Sequence, residues 1–147
     1  MADIDITALT GFAADFKLFG NAAGNGVEWA NGMKVIGGTR DMQGLTGDVS
    51  YTGTGFKPSG IIAIATVPDA LPTCIGSILG SSYGTMYQKT AGIWYPNASA
   101  LIYLFESAGK TQSAIVKTFD ANGFTLTWTL AGATAVGTAY IYFACFR

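Results

Sequence analysis

Two kinds of hydrophobic pattern recur along the chain. In the first, Phe124, Leu126, Trp128 and Leu130 alternate with Thr125, Thr127 and Thr129. A period of two sends successive side chains to opposite faces of a strand, so this segment predicts a strand with a core face and a half-polar outer face. In the second, apolar residues run almost unbroken, as at 61–67 and 100–105. Such a run fits a strand buried on both faces, or one covered by the core on one side and by a partner on the other. Shorter strand patterns fall at 15–19, 48–52, 83–88, 93–95 and 113–119, and the last strand at 138–146. No long window shows a clean helical period.

Turn signals divide these runs. Asn31-Gly32, between 27–30 and 33–36, favours a type I′ hairpin because both central positions want a positive φ. Lys57-Pro58-Ser59-Gly60, Pro96-Asn97, residues 107–110 and Asp120-Ala121-Asn122-Gly123 predict further turns. Residues 20–26 and 37–47 read as loops, the second carrying Arg40 and Asp41. Residues 68–82, with Pro68, Pro72, Gly76 and Gly80, are the least regular. About nine or ten strands at roughly 8–14-residue spacing predict an all-β fold, a single-domain antiparallel β-sandwich of jelly-roll-like form. The predicted domain spans 1–147, with 1–10 as an N-terminal arm or an added edge strand, since Ile4 and Ile6 alternate there.

The 147-residue length suits one domain. Charged residues are only 12% of it, and eight Lys and Arg face nine Asp and Glu. That balance excludes a nucleic-acid binder working through a basic face. The chain has no His, which removes His-dependent triads, His metal sites and His pH switches. The segment Met1-Ala2-Asp3-Ile4-Asp5 lacks a basic region and does not read as a signal peptide. The uncharged stretch 121–146 alternates rather than running apolar, so it predicts strands and not a membrane span. Cys74 and Cys145 read as two buried free thiols, with a single bridge as the alternative.

Candidate chemistry is thin. Gly109-Lys110-Thr111 resembles the end of a phosphate-binding loop, but Leu104 stands where that motif needs Gly. The glycines at 20–26 lack dinucleotide-binding spacing. Asp3 and Asp5 are too few for a calcium loop. Asp41, Asp48 and Glu106 have no spacing that favours acid–base hydrolysis over solvated charge. Asn97-Ala98-Ser99 is a formal glycosylation sequon and otherwise a turn. The expectation is a non-enzyme with no cofactor and no metal.

The last strand carries the clearest surface signal. Ala139, Ile141, Phe143 and Cys145 form one face, and Tyr140, Tyr142, Ala144 and Phe146 the other. Both are apolar or aromatic, and only one can face the core of a two-sheet fold. The outward tyrosines are either covered by a loop or flat on the sheet, or they meet another subunit, where Tyr is enriched. Low overall charge favours a subunit contact. Trp29 and the pair Trp94-Tyr95, beside turns, either cap the ends of the sandwich or line a sugar- or peptide-binding patch. The candidate interface is therefore Tyr140, Tyr142, Phe146, Trp94 and Tyr95.

Two segments carry a resemblance. One is Tyr51-Thr52-Gly53-Thr54-Gly55-Phe56-Lys57-Pro58-Ser59-Gly60-Ile61-Ile62-Ala63-Ile64-Ala65. The other is Phe119-Asp120-Ala121-Asn122-Gly123-Phe124-Thr125-Leu126-Thr127-Trp128-Thr129, closing with Ala139-Tyr140-Ile141-Tyr142-Phe143-Ala144. Together they resemble the small β-sandwich virion structural proteins of tailed bacteriophages, over about a third of the chain. The resemblance implies a virion protein made in the bacterial cytoplasm, and it carries no catalytic residue over. It implies a capsid decoration or cement protein on the capsid exterior, with the major capsid protein and copies of itself, as dimer or trimer, for partners. The alternative it leaves is a tail or receptor-binding module for a host glycan or protein.

Overall fold

The structure is a computed structural model that describes residues 18–20, 27–29, 32–68, 72–90, 92–134 and 137–147. The chain divides into two compact units, Met1–Asn31 and Gly32–Arg147. In the first, β1 (Leu18–Gly20) pairs antiparallel with β2 (Val27–Trp29). Residues 1–10, the predicted arm, lie outside the described residues, as does the side chain of Trp29.

The second unit is an all-β sandwich of two antiparallel sheets. Its strands are β3 (Met33–Asp41), β4 (Gly47–Thr52), β5 (Gly60–Thr66), β6 (Thr73–Leu79), β7 (Ser82–Thr90), β8 (Ile93–Asn97), β9 (Ile102–Ser107), β10 (Lys110–Asp120), β11 (Gly123–Ala131) and β12 (Thr138–Phe146). One sheet has the order β3-β12-β5-β6-β7-β8, the other β4-β11-β10-β9. β12 returns to lie between β3 and β5, a Greek-key closure, while β5 to β8 and β9 to β11 run as meanders.

The core forms where the two inner faces meet. Ile61, Ala63 and Ala65 from β5 and Ala139, Ile141, Phe143 and Cys145 from β12 face Phe124, Leu126 and Trp128 from β11 and Leu104 from β9. The rings of Tyr51, Phe124 and Phe143 touch across it, with centroids 4.8–5.4 Å apart. The two segments that carry the phage resemblance interlock at one end. Gly55 N donates to Asn122 Oδ1 at 2.7 Å, and Gly53 N donates to Asn122 O at 3.0 Å. Gly123 at that hairpin has φ +150°, and a Cβ there would stand 2.0 Å from the Tyr51 carbonyl oxygen.

The two faces predicted for β11 and for β12 are both found. The predicted Asn31-Gly32 hairpin falls on Asn31, which lies outside the described residues. Three local expectations are corrected. Residues 37–47 are not one loop, because β3 continues to Asp41 as the nine-residue partner of β12. Residues 68–82 contain a regular strand, β6, whose Cys74, Gly76 and Ile78 face inward between β5 and β7. Pro96-Asn97 is strand and not turn, because β8 is a sheet edge, where the missing Pro N–H breaks no ladder bond.

Candidate interaction surface

The outer face of the six-stranded sheet is built by register. Gly37, Tyr142, Ile64, Ile75, Met86 and Pro96 lie opposite one another across all six strands. On one side of this row stand Val35, Ala144, Ile62, Ser77 and Gly84, and on the other Thr39, Tyr140, Thr66 and Thr73. Met33, Phe146, Gly60, Leu79 and Ser82 form the end row, and Thr138 and Asp41 lie beyond the Tyr140 row at the opposite end. These four rows hold no Asp, Glu, Lys or Arg. Their large apolar members are well exposed: Tyr142 at 58%, Ile64 and Ile75 at 47% and Met86 at 44%. Monomeric soluble proteins seldom expose a contiguous apolar surface of this extent.

Shallow hollows flank the central row. One, about 350 Å³, is lined by Gly37–Thr39 and Tyr140–Tyr142. The Tyr142 ring leans over Gly37, whose absent Cβ would sit 3.8 Å from it. The other, about 430 Å³, lies at the opposite end against Gly84, Met86 and Pro96.

Of the predicted interface residues, four share this face. Tyr140 and Tyr142 stand out from it, Phe146 is half-buried at its end row, and Trp94 takes the outer side of β8 by pairing with Gln88. Tyr95 points the other way. It pairs with Tyr87 and joins a ring cluster in which Tyr87 lies 6.0 Å from Tyr95, 4.7 Å from Tyr103 and 6.0 Å from Phe105. Lys89 Nζ stands over the Tyr95 and Phe105 rings at 5.3 and 5.5 Å. Neighbouring residues on opposite strand faces cannot form one cap or one patch, which divides Trp94 from Tyr95.

Sequence reasoning missed Val35, Ile75, Leu79 and Met86. In 73–79 apolar residues occupy both parities, so no alternation marks which ones face out. The run at 61–67 did carry a signal, since its unbroken apolarity fitted burial on both faces or an outer face open to a partner, and Ile62 and Ile64 lie exposed on the outer side of β5.

The four-stranded sheet turns the opposite character outward. Asp48 accepts from Lys117 Nζ at 2.5 Å and from Thr127 Oγ1 at 2.6 Å. The Lys117 hydrogen bond, then that of Thr127, holds the Asp48 carboxyl below its ordinary value. Thr125 Oγ1 donates to Asp120 Oδ2 at 3.0 Å and shares a hydrogen bond with Ser50 Oγ at 2.9 Å. These groups satisfy one another in water, so this face gains little from being covered.

Arg40 and Gln112 serve packing. Arg40 spreads its guanidinium 4.9 Å over the Trp128 ring, donates through Nη2 to Leu45 O at 2.6 Å and through Nε to Gln112 Oε1 at 3.1 Å. Gln112, fully buried, donates through Nε2 to the carbonyls of Asp41, Met42 and Gly44 at 2.9, 2.7 and 3.1 Å. This network fixes the turn after β3. Cys74 and Cys145 are free and buried in different strands, and burial pushes both thiols up to about 11. Among the described residues, no three His, Cys, Asp or Glu gather in a way that could hold a metal ion. No helix among them is long and apolar enough to cross a membrane.

Fold and surface together define a β-sandwich with one polar outer face and one whose four named rows carry no charged side chain. No family model, no curated protein and no solved structure matches the chain.

Proposed function

We propose that this protein is a non-enzymatic virion structural protein, a capsid decoration or cement protein that binds the outer shell and stabilises it. One observation carries the reading: the four uncharged rows of the six-stranded sheet, set against a polar opposite face. Such a face gains about 25 cal/mol for each Å² of apolar surface removed from water, before association costs. A protein that binds only the assembled shell stabilises it by linkage, with no chemistry. The resemblance of 51–65, 119–129 and 139–144 to phage virion proteins supplies the shell as partner, and the major capsid protein as its component. A second reading, a tail or receptor-binding module, is favoured by the exposed Trp94 and the Tyr87–Tyr95–Tyr103–Phe105 cluster near the β8 edge, since aromatic rings stack on sugars.

Immunogold labelling of purified particles from the source culture, with antibody to the recombinant chain, tests both. Label over the heads is expected. Label at the tail tip would replace the first reading with the second, and unlabelled particles would overturn both.

A further inference from the structure

We infer that the outer face of the six-stranded sheet pairs with the same face of a second copy, in a two-fold dimer whose axis runs along the strands between β5 and β6. The inference deepens the assembly reading by naming the occupant of its surface. Three observations carry it.

The first is area. The exposed parts of Met33, Val35, Ile62, Ile64, Ile75, Leu79, Met86, Trp94, Tyr140 and Tyr142 amount to on the order of 1,000 Å². A stable interface of standard size needs about 800 Å² per partner. The second is charge. A two-fold contact sets a surface against itself, so any charge near the axis meets its own sign. The four rows have none, and between the two edge strands their backbone groups are already paired in the ladder. The third is shape. The ladders joining β3, β12, β5, β6 and β7 run without a register shift and the one shift in this sheet falls at its β8 edge, between Gln88 and Thr90, whereas the other sheet bulges in a central strand between Val116 and Thr118. A regular sheet face packs on another about 10 Å away with strands nearly aligned.

Shape also selects the axis. Six strands place the midline between β5 and β6, where Ile64 and Ile75 stand side by side. Rotation about an axis along that midline lays β12 of one copy over β7 of the other and β3 over β8. Tyr142 of each copy then enters the hollow at Gly84, Met86 and Pro96 of its partner. An axis across the strands would instead set hollow against hollow and leave voids that lose dispersion contacts.

Sedimentation velocity of the full chain tests the pairing. The wild type is expected to be a dimer at micromolar concentration. Ile64→Lys sets two ammonium groups near the axis and is expected to weaken the dimer by more than about 100-fold. Tyr142→Ser should weaken it less. Ile115→Lys, on the opposite face, should leave it intact, and all three should keep the wild-type circular dichroism. A monomeric wild type, or a dimer indifferent to Ile64→Lys, would overturn the inference. If a monomer still labels particle heads, and Ile64→Lys abolishes its binding, the face belongs to the shell and the decoration reading survives alone. For the axis, Tyr142→Cys chains mixed with Met86→Cys chains are expected to form a mixed disulfide on mild oxidation. Disulfides of Tyr142→Cys with itself alone would overturn that placement.

Discussion

Gly76 of β6 lies directly under the carbonyl of Leu101, so close that a Cβ built on Gly76 would stand 1.7 Å from that oxygen. The chain crosses here between β8 in one sheet and β9 in the other. Thr85 Oγ1, beside Gly76 on β7, donates to the carbonyl of Ala100 and reaches that of Leu101 at 3.3 Å. The crossing is thus held by a missing side chain and a buried hydroxyl.

Gly76→Ala must move backbone rather than a flexible side-chain tip. We expect it to lower unfolding stability by about 3 kcal/mol, at the upper end for overpacking. Gly32→Ala, where a Cβ would meet nothing within 4 Å, should stay close to wild type. Thermal unfolding of the two variants side by side checks both.

How far the sequence reveals this fold depends on where each strand's information lies. The alternation of β11 and the two-sided apolar pattern of β12 are local, and both faces were legible. The turn at Asp120–Gly123 was legible for the same reason, being four residues of turn chemistry between two strands. β6 was not, because Gly76 looks like a breaker until Leu101 is seen to occupy its Cβ position. The second half of β3 was not, because Gly37 and Gly38 carry no strand signal of their own. Rings from elsewhere, Tyr142 over Gly37 and Tyr51 against Gly38, fill the space above them. The outward tyrosines were visible as candidates, but the row joining Tyr142 to Ile64, Ile75 and Met86 exists only in the register.

Gln112 has no local signal either, sitting in a polar stretch before Ser113. Its side chain gathers three carbonyls after β3 and accepts from Arg40. Gln112→Leu keeps most of the volume and leaves those carbonyls without their donor. We expect a loss of about 1–3 kcal/mol, read from the midpoint of urea unfolding. Loss of the Arg40–Gln112 contact should also raise hydrogen exchange at Gly44, whose N–H donates to Asp41 O at the same turn.

The thiols give a pH dependence with a defined sign. Burial raises both Cys74 and Cys145 from 9.0 to about 11, and burial raises Tyr51 from 10.0 as well. The unfolded chain therefore releases these protons at a lower pH than the folded one. Stability is unaffected by them below pH 9 and falls as pH rises from 9.0 toward 11. Denaturant midpoints measured across that window should decline, and Cys145→Ala should make the decline shallower. At pH 8 both thiols should resist alkylation in the native protein and react once it is unfolded.

The central claim is that the outer face with the four uncharged rows is covered in the working assembly while the polar one stays wet. Met86 and Ile115 make a matched pair for it, at 44% and 43% exposure on opposite outer faces of the single chain. Hydroxyl-radical footprinting of the assembled protein, each residue's rate divided by its rate in the unfolded chain, measures this directly. The account predicts strong protection of Met86, Tyr142 and Ile64 with Ile115 still reactive. Equal protection of Met86 and Ile115 would contradict it.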